Sequence, residues 1–236
     1  MSASRQVILE RLAAGLGSQR VPPKPAQPVP AVIKQVAATP AALIERFTQA
    51  IDRLSVTWEI AESPVTARLK LVSGLRDEGT RRVLSWSAEN LPVAGVLEAL
   101  DILDVAVTTP DLRAMPVKLR PQDPAGRKEL LAGIETVQVG ITGADAAIAE
   151  TGTLFLASGP GRPLLVSQMP RRHLVLLPAS RLHPTLESWL AFHAPLEWPG
   201  SLTALTGISR SRDIELHPSI GIHGPRKRHV IIVQGM

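Results

Sequence analysis

The chain has 236 residues, 44% hydrophobic and 20% charged, enough for one substantial core or one core with a small appendage. Its 26 basic against 21 acidic residues give a net charge of +5, but the arginines are scattered and aromatic residues make up only 3%, which argues against a nucleic-acid partner. Cysteine is absent, so this chain holds no disulfide, no thiolate nucleophile and no cysteine-ligated iron–sulfur cluster.

Arg5, Glu10 and Arg11 interrupt the place where a signal peptide needs its apolar run. No stretch approaches the ~18 apolar residues that a bilayer span requires. A cytoplasmic protein is therefore expected. Residues 5–16 fit an amphipathic helix with Ile8, Leu12 and Leu16 at i+4 spacing, so residues 1–20 are read as a helical arm. The Pro-rich segment 21–39 cannot continue a helix and reads as a linker. The remainder, 40–236, is expected to be one α/β domain.

Within that domain, Leu43, Ile44, Phe47 and Ile51 share one helical face, and Val56–Ile60 is a short strand candidate. Ser63-Pro64 opens a helix with a cap and a proline at its first position; Val65, Leu69, Val72 and Leu75 would line its buried face. Arg82–Trp86 reads as a strand, Val93–Leu100 as a helix and Asp104–Val107 as a strand. Thr108–Pro124 is expected to be a loop, followed by a helix near 126–133. Further strands fall at Thr136–Ile141, Gly152–Ser158 and Leu174–Leu177. Pro184–His193 reads as a helix with Leu186, Trp189, Leu190 and His193 on one side. Leu202–Leu205 and His229–Val233 would close the sheet. This alternation predicts a mostly parallel sheet with helices on both faces.

Several familiar motifs are absent. Gly15-Leu-Gly17 follows a helix and lacks a third glycine, Gly159-Pro-Gly161 reads as a turn, and Gly207-Ile-Ser-Arg-Ser211 lacks the last glycine of a nucleophile elbow. The six histidines show no metal-ligand spacing. Two other segments are rich in small, hydroxylated and charged residues, which suits an anion site. In the first, Thr142-Gly-Ala-Asp145 ends a strand, and a helical turn is expected over 144–150 with Asp145 as a cap. Glu150 then stands beside Thr151-Gly152-Thr153. Gly152 permits close backbone approach, and the hydroxyls can donate to a carboxylate or phosphate, although the same residues also make an ordinary strand start. In the second, Ser209, Arg210 and Asp213 fit either a capped helical turn with a surface ion pair or an anion site with Arg210 as its fork. His223, between Gly221-Ile and Gly224-Pro225, is either a turn residue or an acid/base.

Thr142-Gly-Ala-Asp145, Ala149-Glu-Thr-Gly-Thr153, Thr206-Gly-x-Ser-Arg-x-x-Asp-Ile-Glu215 and Gly221-x-His-Gly-Pro225 resemble, in order and spacing, the signatures of the lactate utilization protein C family, or LUD-domain proteins. The resemblance runs from about Ala41 to Val233, with local departures at Ile208, Ser211 and Arg212 and with Met169-Pro-Arg-Arg-His173 where a Leu-Pro-x-x-His-type segment is expected. It implies a fold similar to the sugar-phosphate isomerase and coenzyme A transferase group. It also implies a part in oxidising L-lactate to pyruvate beside two iron–sulfur partner proteins, with this chain as a non-redox subunit of the L-lactate dehydrogenase complex that needs no cofactor of its own. Glu150 and His223 are the catalytic candidates, either of them as acid/base if the chain is an enzyme in its own right. Thr142, Thr151, Gly152, Thr153, Ser209, Arg210 and Asp213 would surround a small anionic ligand. The competing expectation is a stand-alone enzyme acting on a phosphorylated or coenzyme A-linked substrate.

Overall fold

The structure is a computed structural model that describes residues 38–110, 124–192, 200–208, 210–212, 218–220 and 224–236, with a few positions between 6 and 14. At 126, 127, 130, 210–212 and 218–220 the backbone alone is described. The chain divides into two units, Met1–Lys34 and Gln35–Met236. In the first, the described residues, among them Val7 and Ile8, are helical and exposed. Leu12 and Leu16, and the linker between 21 and 37, lie outside the described residues.

The second unit opens with α1 (Pro40–Asp52), which starts where the Thr39 side chain accepts a hydrogen bond from the Ala42 N–H and Pro40 takes the first helical position. It buries Ile44, Phe47 and Ile51. After β1 (Thr57–Ala61), Ser63 caps α2 (Pro64–Asp77) in the same way, and Gly79, at φ +64°, ends it. The buried face of α2 is Ala67, Leu71 and Leu75, whereas Val65 and Leu69 are 55% and 63% exposed, contrary to the sequence expectation. Ala67, Leu71 and Leu75 recur at i+4 spacing, two residues out of phase with Val65 and Leu69, and so form one helical stripe.

The chain continues through β2 (Arg82–Ser85), α3 (Val96–Ile102), β3 (Ala106–Thr108), α4 (Pro124–Ile134) and β4 (Val139–Gly143). Next come β5 (Ala146–Ile148), β6 (Thr153–Ala157), the single turn α5 (Leu165–Gln168), β7 (Arg172–Pro178) and β8 (Leu182–His183). Then follow α6 (Leu186–Phe192), β9 (Leu202–Thr206), β10 (Arg210–Arg212), β11 (Pro218–Ile220) and β12 (Lys227–Val233).

Six strands form one parallel sheet in the order β1-β12-β7-β4-β2-β3. In β4 every residue is buried, and in β7 all but the first, so both faces of the central strands are covered. The fold class expected from the sequence is therefore present, with two corrections to its detail. Residues 144–150 form no helix: β5 pairs with β6 in a second sheet of order β8-β5-β6-β9. Leu202–Thr206 belongs to that second sheet, and β12 sits inside the first, between β1 and β7. From Thr203 to Thr206 β9 alternates half-buried and exposed residues, as a half-covered antiparallel strand does, and none of its residues is fully buried as in a central parallel strand. Over the second sheet, α6 buries Trp189 against Ala146 and Ile148 and leaves Leu186 and Leu190 40% and 45% exposed, so its expected apolar face is only partly used.

Candidate functional site

Register places one row of side chains across the middle of the parallel sheet. Gly140 of β4 pairs with His173 of β7, which pairs with Arg228 of β12. Paired residues share a face and so do residues two apart, so Thr142 joins this row. Gly140 is required there, because a Cβ would come within 2.0 Å of the Val166 carbonyl oxygen of α5. The close approach of α5 covers the row and helps to keep it dry.

Arg228 is only 4% exposed. Its Nε donates to His173 Nδ1 at 3.2 Å, and its Nη1 donates to the Gly207 carbonyl. A guanidinium Nε can only donate, so His173 Nδ1 must accept, and the neutral ring carries its proton on Nε2. Nε2 then donates to the Thr142 hydroxyl at 2.8 Å. Burial, and secondarily the positive charge of Arg228, hold the His173 pKa well below its ordinary value, which keeps the ring neutral. Burial also pushes the Arg228 guanidinium down to about 10, so it remains charged at neutral pH. Among the described residues no carboxylate forms an ion pair with Arg228. A buried cation without a carboxylate is costly, and an anion at that place would offset the cost.

A cavity of about 420 Å³ opens onto Arg228. Its walls are Ser167 and Gln168 of α5, the end of β9 from Ala204 through Ile208, and Gly224-Pro225. Thr206 extends a hydroxyl chain away from it: Thr206 Oγ1 lies 2.8 Å from Thr153 Oγ1, which lies 2.7 Å from Thr151 Oγ1. Thr142, Thr151 and Thr153 are thus brought onto one line running through Arg228 and Gly207.

Other expected site residues fare differently. Gly152, at φ +67°, serves packing, since a Cβ would meet Ile51 of α1 at 2.8 Å. Glu150 is half exposed and pairs with Arg46 of α1 at 3.0 Å. Arg210 lies in β10, a strand and not the helical turn considered for it, and its side chain is not described. Ser209, Asp213 and His223 lie outside the described residues. Asp145 caps no helix: it accepts from the Ala157 N–H at 2.7 Å and from Arg162, whose guanidinium stacks 4.5 Å over the Trp86 ring. That clamp ties the Gly159–Arg162 turn to the end of β4.

Sequence reasoning missed Arg228 and set His173 aside. The available signal was a charged residue one position into a strand with an apolar end, three residues after Gly224-Pro225. Among the described residues, no group of three or more His, Asp or Glu could hold a metal ion, and no helix is long and apolar enough to cross a membrane.

A six-stranded parallel sheet with both faces covered, carrying a buried arginine that lines a cavity, defines the class as an α/β protein. The family model for the LUD domain matches residues 38–233, and the chain belongs to that family. It is 36% identical over 114 residues to "Lactate utilization protein C" of Geobacillus sp. strain WCH70, covering 46% of this chain and 47% of that protein. A protein of the same name from Halalkalibacterium halodurans is 28% identical over 165 residues, 68% of this chain and 66% of that one. The matched stretches thus span about half to two thirds of these relatives' length. The crystal structure of a DUF162 family protein from Deinococcus radiodurans shares the fold, with a TM-score of 0.58 at 21% identity, over 84% of this chain and 99% of that one.

Proposed function

We propose that this chain is the cluster-free component of an L-lactate oxidation system, binding a small carboxylate at Arg228 and meeting two cytoplasmic iron–sulfur proteins that carry the redox chemistry. The observation that carries this reading is a buried, charged Arg228 that lines a cavity and has no carboxylate among the described residues. Lactate and pyruvate each supply one carboxylate, which a guanidinium fork fits. His173 and the Gly207 carbonyl fix the guanidinium plane, so little side-chain freedom is lost on binding. The relatives' name and the absence of cysteine from this chain both support the assignment.

In this reading Ser209, Arg210, Asp213 and His223 are further ligand contacts; Ser209 and His223 directly adjoin Ile208 and Gly224, which line the cavity. Residues 1–20 and 21–39 form an arm and a linker outside the domain at 40–236. A second reading is a stand-alone enzyme acting on a phosphorylated or coenzyme A-linked substrate, with Glu150 and His223 as acid and base. The hydroxyl chain from Thr151 to Thr206 favours it, since it leads from the turn that carries Glu150 to the cavity.

The test is dye-linked L-lactate oxidation by the two iron–sulfur partners, with and without this chain and with its Arg228→Met variant. The proposal expects oxidation to require the chain and to fail with the variant. Oxidation indifferent to the chain, or turnover of a phosphorylated substrate by the isolated chain, would overturn it in favour of the enzyme.

A further inference from the structure

One residue before His173 and one before Arg228, the same two strands carry Arg172 and Lys227, which are register partners. Alternation sends these two to the opposite face of the sheet from Arg228. Partners on adjacent strands lie about 4.8 Å apart, so two like charges are held side by side. Arg171 and Arg226 precede them, and the Arg171 carbonyl accepts both the Arg226 and the Lys227 N–H, at 2.8 and 3.0 Å. Two strands further along, Arg81 precedes β2 and Arg82 opens it. All six cations line one cavity of about 620 Å³ at the N-terminal ends of β2, β4, β7 and β12.

Glu78 is the one carboxylate in that lining, and it pairs with Arg172. Arg82 is engaged with the Gly133 carbonyl at 2.8 Å and the Thr136 hydroxyl at 3.2 Å. Among the described residues, Arg81, Arg171, Arg226 and Lys227 make no ion pair, and all four are exposed. Partial burial lowers the Arg172 pKa, as expected for a cation crowded at this rim. The floor is apolar: Val137 and Val139 are buried beneath the charged edge. A monocarboxylate would leave most of this charge unbalanced. An anion with three or four charges spread over tetrahedral groups matches it in charge and in the bidentate geometry that guanidinium groups prefer. The volume is that of a small-molecule site.

We propose that this cavity is a second ligand site, separate from the Arg228 pocket, that binds a di- or triphosphate group. The group comes either as a free inorganic polyphosphate or as part of a nucleotide. Isothermal titration with tripolyphosphate, adenosine triphosphate, adenosine and orthophosphate tests it on the full chain, at two salt concentrations. The expected result is saturable binding of tripolyphosphate or the nucleotide, at least tenfold tighter than orthophosphate, with no binding of adenosine. Raising the salt should weaken it.

Arg171→Glu with Arg226→Glu should weaken that binding at least tenfold while the melting temperature of the free protein holds, because both side chains are exposed. Arg228→Met should leave it unchanged. Comparing tripolyphosphate with adenosine triphosphate identifies the source, because a tighter nucleotide means that the floor also holds the base. Absence of saturable polyphosphate binding would overturn the proposal. So would binding insensitive to the double variant, or preferential binding of an RNA or DNA oligonucleotide.

Discussion

Strands β7 and β12 present a cation to each face of the sheet, and the two faces treat it in opposite ways. Arg228 is buried, bonded only to a neutral imidazole and a carbonyl among the described residues, and looks into a cavity. Arg172, whose partner Lys227 adjoins Arg228 in the chain, sits at a partly open rim with Glu78 and five other cations. A shift of one residue in a strand exchanges one environment for the other. The comparison shows that a residue's charge says little about its use. What matters is how much water and how many counter-charges it keeps. On the two proposals above, the single dry cation would select a small, singly charged ligand by geometry, and the crowded wet rim would select by total charge.

The largest way to break this contrast is to lift the cover from the dry face. Gly140→Ala places a methyl group against the Val166 carbonyl, and backbone must move to admit it. The expected loss is about 3 kcal/mol, at the top of the overpacking range, read as the midpoint of urea unfolding. An unchanged midpoint would mean that α5 does not seal the row. Arg228→Met comes next, and it acts on function more than on fold. Binding of pyruvate should weaken by about 2–5 kcal/mol, the cost of removing a buried, hydrogen-bonded charge from an ion pair. Unfolding stability should change less, because the variant also removes an uncompensated buried charge. Calorimetric titration with pyruvate beside a denaturant melt separates the two effects, and retained affinity would move the carboxylate elsewhere.

The dry face also makes a pH prediction. The folded pKa of His173 is depressed, so below its ordinary value of about 6.5 the unfolded chain takes up a proton that the folded chain refuses. Stability is therefore intact above that value and falls as pH drops from it towards the folded pKa. His229, also lowered by burial, acts in the same sense and remains when His173 is changed. His173→Gln should therefore shrink, without abolishing, the acid dependence of the urea midpoint. A pH profile identical to that of the unsubstituted protein would mean that His173 takes up its proton as readily in the folded chain as in the unfolded one.

Much of the scaffold was legible because it rests on local rules. Thr39-Pro40 and Ser63-Pro64 announce their helices by capping chemistry, and the apolar runs of β7 and β12 announce buried strands. The misreadings arose where tertiary partners decide. Residues 144–150 carry a carboxylate and small residues compatible with a helical turn, but the strand β6 is present to pair with them, and the ladder wins. The buried line from Thr142 through His173 to Arg228 joins residues 31 and 55 positions apart. No window of sequence contains it, since only the order β12-β7-β4 puts its members side by side.

Glu150 gives the smallest and sharpest test, because sequence and geometry pull it in different directions. The motif puts it among the site residues, whereas the structure pairs it with Arg46, with both side chains nearly half exposed. An exposed pair of this kind contributes about 0–1 kcal/mol. Glu150→Gln should accordingly lower stability by less than about 0.5 kcal/mol, and it should leave pyruvate binding as it was, since Arg228 supplies the charge for that. Arg46→Gln should reproduce the small stability change if the pair is all that Glu150 provides. If Glu150→Gln instead removes activity while Arg46→Gln does not, the carboxylate has a chemical use that the pair conceals. The hydroxyl chain from Thr151 to Thr206 would then be the route by which it acts on the cavity, and the enzyme reading would displace the binding one.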